Sequence, residues 1–440
     1  MAYVPNPPAV IEEMVRSIGM NKVQDLFADI PDAVRMHSDL NLGEGIPEMT
    51  LRKQLFALAS KNMTVEQMPS FLGAGAYDHY IPAVVEHVLS RSEFYTAYTP
   101  YQPEISQGIL QAIFEYQTMI CRLTEMEVSN ASLYDGGSAL AEACHVACDV
   151  TGRSRIILPD TVHPHYCRVL QTYAMGGQMK IIRTASRDGT AHPDAIMPLL
   201  DDDLAAVVIQ HPNFFGNLEE HIDIIGEAIH KRKGLLVMVV DPVSLGILKP
   251  PGALGADLVV GEGQALGIPL SFGGPYLGFM AAAGAYMRKI PGRLVGLTQD
   301  LDGRRAFVLT LQAREQHIRR AKAGSNICSN QALCTLAAAV YLTVIGPQGL
   351  KDIATRSHAL AVYARKQVEK AGCNPLYDRP FFREFAIRLK DPREANRRLL
   401  EQKIIGGYPL DGAMLLAFTE KRTIDEIDRL VATLGGCCHG

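Results

Sequence analysis

RIILPD at 155–160, MKIIRT at 179–184, AAVVIQHPN at 205–213, LLVMVVDPVS at 235–244 and ADLVVGEGQ at 256–264 decide the fold. Each is a short apolar run rich in Ile and Val that closes in a polar turn, too short for a helix and apolar on both faces as a buried parallel strand is. Helical segments separate them, which is the βαβ rhythm of a doubly wound α/β sheet. In such sheets ligands bind beyond the carboxyl ends of the strands. The residues to watch are therefore Asp160, His163, His211, Asn213, Asp241, Ser244, Glu262 and Gln264.

Outward from this block, residues 1–65 carry apolar positions at helix spacing, cut by Pro7, Pro8, Pro31 and Pro47. They read as a helical N-terminal arm. A large domain is expected over 66–327, with a tyrosine-rich loop, EFYTAYTPYQPEISQG (93–108), ahead of the helix ILQAIFEYQTMICRLTEM (109–126). From 328 to 440 the long apolar helix NQALCTLAAAVYLTVIG, closed by Gly346 and Pro347, and short strands in FREFAIRLK and AMLLAFTE suit a smaller α+β domain.

The 440 residues hold 43 Lys and Arg against 47 Asp and Glu, a formal charge of −4, so no bulk field exists to hold nucleic acid. No uninterrupted apolar stretch of membrane-spanning length and no signal-peptide layout is visible, so a cytoplasmic chain with no membrane contact is expected. Nine cysteines without framework spacing read as reduced thiols, with Cys437 and Cys438 as tail thiols. Cys144 and Cys148, or His163, His165 and Cys167, could supply metal ligands, but nothing completes a tetrahedral set, and no metal is expected.

Neither GAGAYDHY (73–80) nor SFGGPYLGF (271–279) has the spacing of a dinucleotide loop, and the Walker lysine motif is absent. Pyridoxal phosphate (PLP) suits the layout better. LYDGGSALAEA (133–143) sets Asp135, Gly136, Gly137 and Ser138 before a helix, where exposed N–H groups and the helix dipole favour a phosphate. A plain N-cap explains the segment equally well. Asp241 stands where a carboxylate would keep a pyridine nitrogen protonated, and His163 where a ring would lie on the cofactor. His211 and Asn213 offer a partner for the ring oxygen or a relic of one. The fold also needs a lysine for the Schiff base after the next strand. That exit reads GEGQALGIPLSFGGP (261–275), and Gln264 occupies the place. Between Asp241 and Asp300 the lysines are Lys249, in a Pro-rich loop, and Lys289, beyond the following strand. The chain thus reads as a PLP-type fold without its catalytic lysine, with Lys249 or Lys289 as the alternative in a free-standing PLP enzyme. A non-catalytic interaction protein with a relic pocket is a third reading.

FLGAGAYDHYIPAVV (71–85), EFYTAYTPYQPEISQGILQAIFEYQ (93–117), SFGGPYLGF and above all PGRLVGLTQDLDGRRAFVLTLQAREQHIRRAKAGSNICSNQAL (291–333) resemble the glycine decarboxylase P-protein family of the glycine cleavage system. Within it the chain is similar to the α subunit of the two-subunit bacterial form. The resemblance implies the PLP-dependent transferase fold type I (aminotransferase-like) and a β subunit that holds PLP through a lysine in a segment of the form HKTFxIPHGGGGP. Gln264 stands at that lysine's place, while Ile268, Pro269, Gly273, Gly274 and Pro275 still match. Likewise Pro100, Pro103, Glu104, Gln107 and Gly108 match the partner's loop of the form PFxPExxQG. It further implies decarboxylation of glycine and transfer of the aminomethyl group to the lipoyl arm of H-protein by an α2β2 assembly, with no PLP bound covalently here. Gly136, Gly137, Ser138, His163 and Asp241 would then form a vestigial cofactor pocket. Tyr95, Tyr98, Tyr101 and Glu104 would face the partner's active site, or the tyrosines would only pack the arm. AREQHIRRAKA (313–323) reads as a helix with either an anion-handling or a solvated basic face.

Overall fold

The computed structural model describes residues 6–38, 40–177 and 179–438. The chain divides into one unit over Met1–Met63 and a second over Thr64–Gly440. In the first, a helix over Pro8–Ser17 starts at a proline whose missing N–H costs nothing there, and a second helix runs over Glu48–Ala59 after Pro47. The second helix buries none of its side chains.

The larger unit is built on seven strands: β1 (Val128–Ser129), β2 (Arg155–Pro159), β3 (Lys180–Thr184), β4 (Leu204–His211), β5 (Leu235–Val240), β6 (Leu258–Glu262) and β7 (Gly278–Ala282). Their order is β1-β7-β6-β5-β4-β2-β3. All five runs read from the sequence are strands, and they pair parallel with one another. β7 runs antiparallel to β6 and β1 antiparallel to β7, so the sheet is mixed.

Successive residues of β4 alternate between two cores, which explains why the runs are apolar throughout. Val207 and Ile209 pack with Tyr116 and Ile120 of helix Gln107–Thr124 and with Ile225 and Ile229 of helix Ile222–Lys231. Ala206 and Val208 pack with Leu140, Cys144 and Ala147 of helix Gly136–Thr151 and with Leu170 of helix Pro164–Ala174.

Helix Ala332–Lys370 is longer than the sequence suggested: Gly346, at φ 62, breaks it where Gly346 and Pro347 were expected to end it, and the chain resumes a helical path beyond. It is also long and apolar enough to cross a membrane by length and composition, contrary to the expectation that no stretch is. Its first half buries Leu336, Ala337, Ala338, Ala339 and Tyr341 inside the unit.

A hairpin, β8 (Leu294–Gln299) and β9 (Arg305–Thr310), was not anticipated. The last part of the chain forms an antiparallel sheet of β10 (Glu384–Arg388), β11 (Tyr408–Leu410) and β12 (Ala413–Ala417), ordered β10-β12-β11, whose core joins Phe385, Ile387, Met414 and Leu416 to Leu399, Ile427 and Leu430. The expected short strands lie in β10 and β12. AREQHIRRAKA is not one helix: only Gln316–Arg319 make an α-helical turn, because Arg320 adopts φ 56.

Seven cysteines among the described residues are free thiols. Cys373 departs from the expectation and is disulfide-bonded. It lies in the core of the small sheet beside Leu434 of the last helix, a tertiary proximity that cysteine spacing does not reveal. The side chain of Cys438 lies outside the described residues. Among the described residues no group of three or more His, Cys, Asp or Glu is placed to hold a metal ion.

Candidate functional site

The strand ends converge, as the topology requires, on one cavity lined by His163, Asn213, Asp241 and Glu262 together with Tyr77, Tyr166, Arg383 and Glu384. Strand β5 ends at Val240 and delivers Asp241; β6 delivers Glu262 and, two residues on, Gln264. The loop Ala74–Tyr77 and the start of β10 complete its lining.

Asp241 does not face an open space. Its Oδ2 lies 2.7 Å from Nη2 of Arg383, a side chain only 1% exposed. The guanidinium carbon stands 3.5 Å from the centre of the Tyr77 ring, and Nη1 contacts His79. Tyr77 in turn donates its hydroxyl to Glu384 (2.6 Å), which also accepts from the Ala74 N–H (2.8 Å). Burial pushes Glu384 up to about 7, and it raises Tyr77 well above its ordinary value.

Gln264 is 2% exposed and spends its whole amide on backbone. Its Oε1 accepts from the Tyr77 N–H (2.8 Å), and its Nε2 donates to the carbonyls of Tyr77 (3.1 Å) and Ile268 (2.7 Å). Two polypeptide segments are pinned by this one side chain.

At the glycine turn, Asp135 caps helix Gly136–Thr151 by accepting from the Ser138 N–H (2.7 Å). The Gly136 N–H donates to Glu262 (3.0 Å), which also accepts from the N–H groups of Gln264 (3.0 Å) and Leu277 (2.9 Å). Burial pushes the Glu262 carboxyl up to about 7, against the pull of these three donors. A Cβ on Gly136 would run into the Tyr166 ring, so this tight approach requires glycine.

His163 is stacked on Tyr166, centroids 4.6 Å apart. Its Nε2 lies 2.8 Å from the Ala74 carbonyl and its Nδ1 accepts from the His165 N–H (3.1 Å), so the neutral ring carries its proton on Nε2. Burial, pushing it down to about 4, agrees with that state. Asn213 donates to Gly189 and Glu219 and accepts from Phe215 and Asn217, and His211 accepts from the Glu219 N–H. These bonds hold the 211–219 turn together and tie it to Gly189.

The structure therefore brings His163 and Asp241 to one cavity, while Gly136, Gly137 and Ser138 lie outside its lining, Gly136 alone of the three bonding to a lining residue, Glu262. Lys249 and Lys289 are exposed and line no part of it, and Lys289 pairs with Asp149 (2.7 Å). The tyrosines are elsewhere: Tyr95 and Tyr98 are 70% and 84% exposed beside a cleft of about 720 Å³, with Glu104 also exposed. Tyr101 is held by Arg293 (3.2 Å).

Residues 1–434 match the family profile of the glycine cleavage system P-protein. The chain belongs to that family. It is 61% identical over 441 residues to the probable glycine dehydrogenase (decarboxylating) subunit 1 of Syntrophomonas wolfei, covering 100% of both chains. It is 53% identical to the protein of the same description from Carboxydothermus hydrogenoformans, over 99% of this chain and 100% of that one. Its fold superposes on a crystal structure of the glycine decarboxylase P-protein, in inhibitor-bound form, with a TM-score of 0.93 at 43% identity, covering 99% of this chain and 100% of that one. A C-DES mutant with glycine covalently linked to its PLP cofactor shares the fold alone, with a TM-score of 0.61 at 15% identity over 86% of this chain and 100% of that one.

PLP, the cofactor of this transferase fold, does not fit in this P-protein chain. The free space beside Asp241 is about 50 Å³, against the roughly 300 Å³ or more of small-molecule sites. Gln264 cannot form an imine, and Asp241 is already paired. Sequence reading missed Arg383, Tyr77 and Glu384, which lie far from the ends of the parallel strands in the chain, and Tyr166, three residues past His163 in the helix after β2. The one available signal was Arg383–Glu384 set between aromatic residues in FFREF, charges that an apolar strand buries only as partners.

Proposed function

We propose that this chain is the cofactor-free subunit of glycine dehydrogenase (decarboxylating), working in an α2β2 assembly in the cytoplasm. A second subunit supplies PLP, the electron sink for decarboxylation of glycine, and the aminomethyl group passes to the lipoyl arm of H-protein. The observation that carries the reading is Gln264: at the strand exit where the fold needs a lysine, its amide is fully engaged with Tyr77 and Ile268. The full-length match to relatives described as subunit 1 supports a separate partner.

Two surfaces support the assembly. Tyr95, Tyr98 and Glu104 expose a rigid aromatic edge next to a cleft that also takes in Phe94 and Ile105, the composition of an interface hot spot. On the arm, Met49, Leu51, Leu55, Phe56 and Leu58 are all exposed on one helix, an apolar surface that a partner would cover. The exposed tyrosines then stand toward the partner's active site.

The test is to purify the two chains together, reduce with borohydride and map phosphopyridoxyl groups by peptide mass spectrometry. Label on the partner's lysine and none on this chain is expected. Label on Lys249 or Lys289 would establish the free-standing enzyme instead.

A further inference from the structure

We propose that the relic pocket is internally ligated: this chain's own side chains stand at each point where the fold would hold PLP, so the pocket refuses the cofactor even when a lysine is restored at position 264. The inference deepens the reading above and rests on it for the partner's cofactor.

Side chains take the cofactor's place at two points, and Gln264 takes the lysine's at a third. At the N-terminus of helix Gly136–Thr151, where N–H groups and the helix dipole would favour a phosphate, the Glu262 carboxyl stands instead, accepting from the N–H groups of Gly136, Gln264 and Leu277. Tyr166 closes the remaining approach over Gly136. At Asp241, where a protonated pyridine would sit, the Arg383 guanidinium is the cation, its carbon 3.5 Å from the centre of the Tyr77 ring. At the lysine's place, Gln264 bonds to backbone on both sides.

These groups are linked rather than independent. The Gln264 N–H donates to the Glu262 carboxyl, Gln264 holds Tyr77, and Tyr77 lies against Arg383 and donates to Glu384. The loop over Ala74–Tyr77 and the start of β10 are thereby tied to the ends of β5 and β6 by the chain's own charges. Supplying an amine changes one point of three. Glu262 would still occupy the Gly136 N–H and Arg383 would still hold the carboxylate.

The experiment uses the complex with the partner subunit, excess PLP, borohydride reduction and peptide mapping of both chains. Three forms are compared: the natural chain, Gln264→Lys, and Gln264→Lys combined with Glu262→Ala and Arg383→Ala. Expected is no phosphopyridoxyl on this chain in the first two and label at position 264 in the third. Label in the Gln264→Lys form overturns the proposal, and so does a triple variant that unfolds in a cooperative melt, as a folded chain does, yet stays unlabelled. Absence of label on the partner would instead sink the assignment of the cofactor to that subunit, without touching this comparison. If the triple variant does not fold, a thermal shift of the natural full chain with PLP decides: no shift is expected, and a saturable one overturns the proposal.

Discussion

Replacing Arg383 by Met removes the guanidinium while keeping the length of the side chain, and leaves the Asp241 carboxylate, 15% exposed, facing an apolar group. Breaking a buried ion pair from one side costs about 3–5 kcal/mol, because the remaining charge loses its partner without regaining water. The partial exposure of Asp241 puts this case at the lower end. Loss of the stacking on Tyr77 at 3.5 Å adds roughly 1 kcal/mol. Against that, Nε of Arg383 is buried without a partner, so its removal returns some desolvation cost. The net is about 3 kcal/mol. With an unfolding entropy of about 2.1 cal/mol/K per residue over the larger unit, that corresponds to a fall in Tm of roughly 4 °C. Circular-dichroism melts of the full chain at pH 7 read it directly. The double variant Arg383→Met with Asp241→Asn is expected to recover most of the loss, since no uncompensated charge then remains. A single variant that melts with the natural chain, or a double variant no better than the single, would refute the role given to this pair.

Glu142 is buried, with one hydrogen bond from Ser325 (3.0 Å), and burial pushes it up to about 7 from an ordinary 4.5. The folded state therefore keeps a proton that the unfolded chain has lost between those values, and this group's contribution declines as pH rises from about 4.5 to about 7. Glu142→Gln should match the natural chain near pH 5 and exceed it by about 1–3 kcal/mol at pH 8 in urea titrations; a pH-independent difference would contradict the burial argument. Tyr98→Ala is expected to leave the melting of the isolated chain unchanged and to weaken binding to the partner about tenfold or more in sedimentation or titration calorimetry. Equal affinity would return the tyrosines to a packing role. Gly136→Ala gains at most ~1 kcal/mol of helix propensity but drives a Cβ into Tyr166, so overpacking of roughly 1–3 kcal/mol wins and thermal melts should show a loss.

The sheet was legible because its rule is local: five short Ile- and Val-rich runs read as strands, and all five are, four of them mostly buried and β3, at the sheet edge, only partly so. What sequence missed in the fold was set elsewhere. Gly346 permits a turn without ending the helix path, and the hairpin β8–β9 joins residues whose pattern is weakly alternating. In the site, Asp241, His163, Glu262 and Gln264 were marked by position at strand ends, a topological signal that needs no tertiary contact. Their partners were not, because Tyr77 and Arg383 arrive from segments before and after the sheet, and only packing reveals that a guanidinium already occupies the carboxylate. The glycine turn shows the same limit: the sequence allowed a phosphate cradle or a plain cap, and the Asp135–Ser138 cap together with Glu262 uses the donors.

Exchange of labelled bicarbonate with the carboxyl group of glycine, in the presence of lipoylated H-protein, tests the subunit reading most directly. Each chain is assayed alone and the two together. Little exchange from either chain alone and full exchange from the pair is expected. Full exchange by the partner alone would contradict a contribution from this chain, and exchange by this chain alone would contradict the claim that it holds no cofactor of its own.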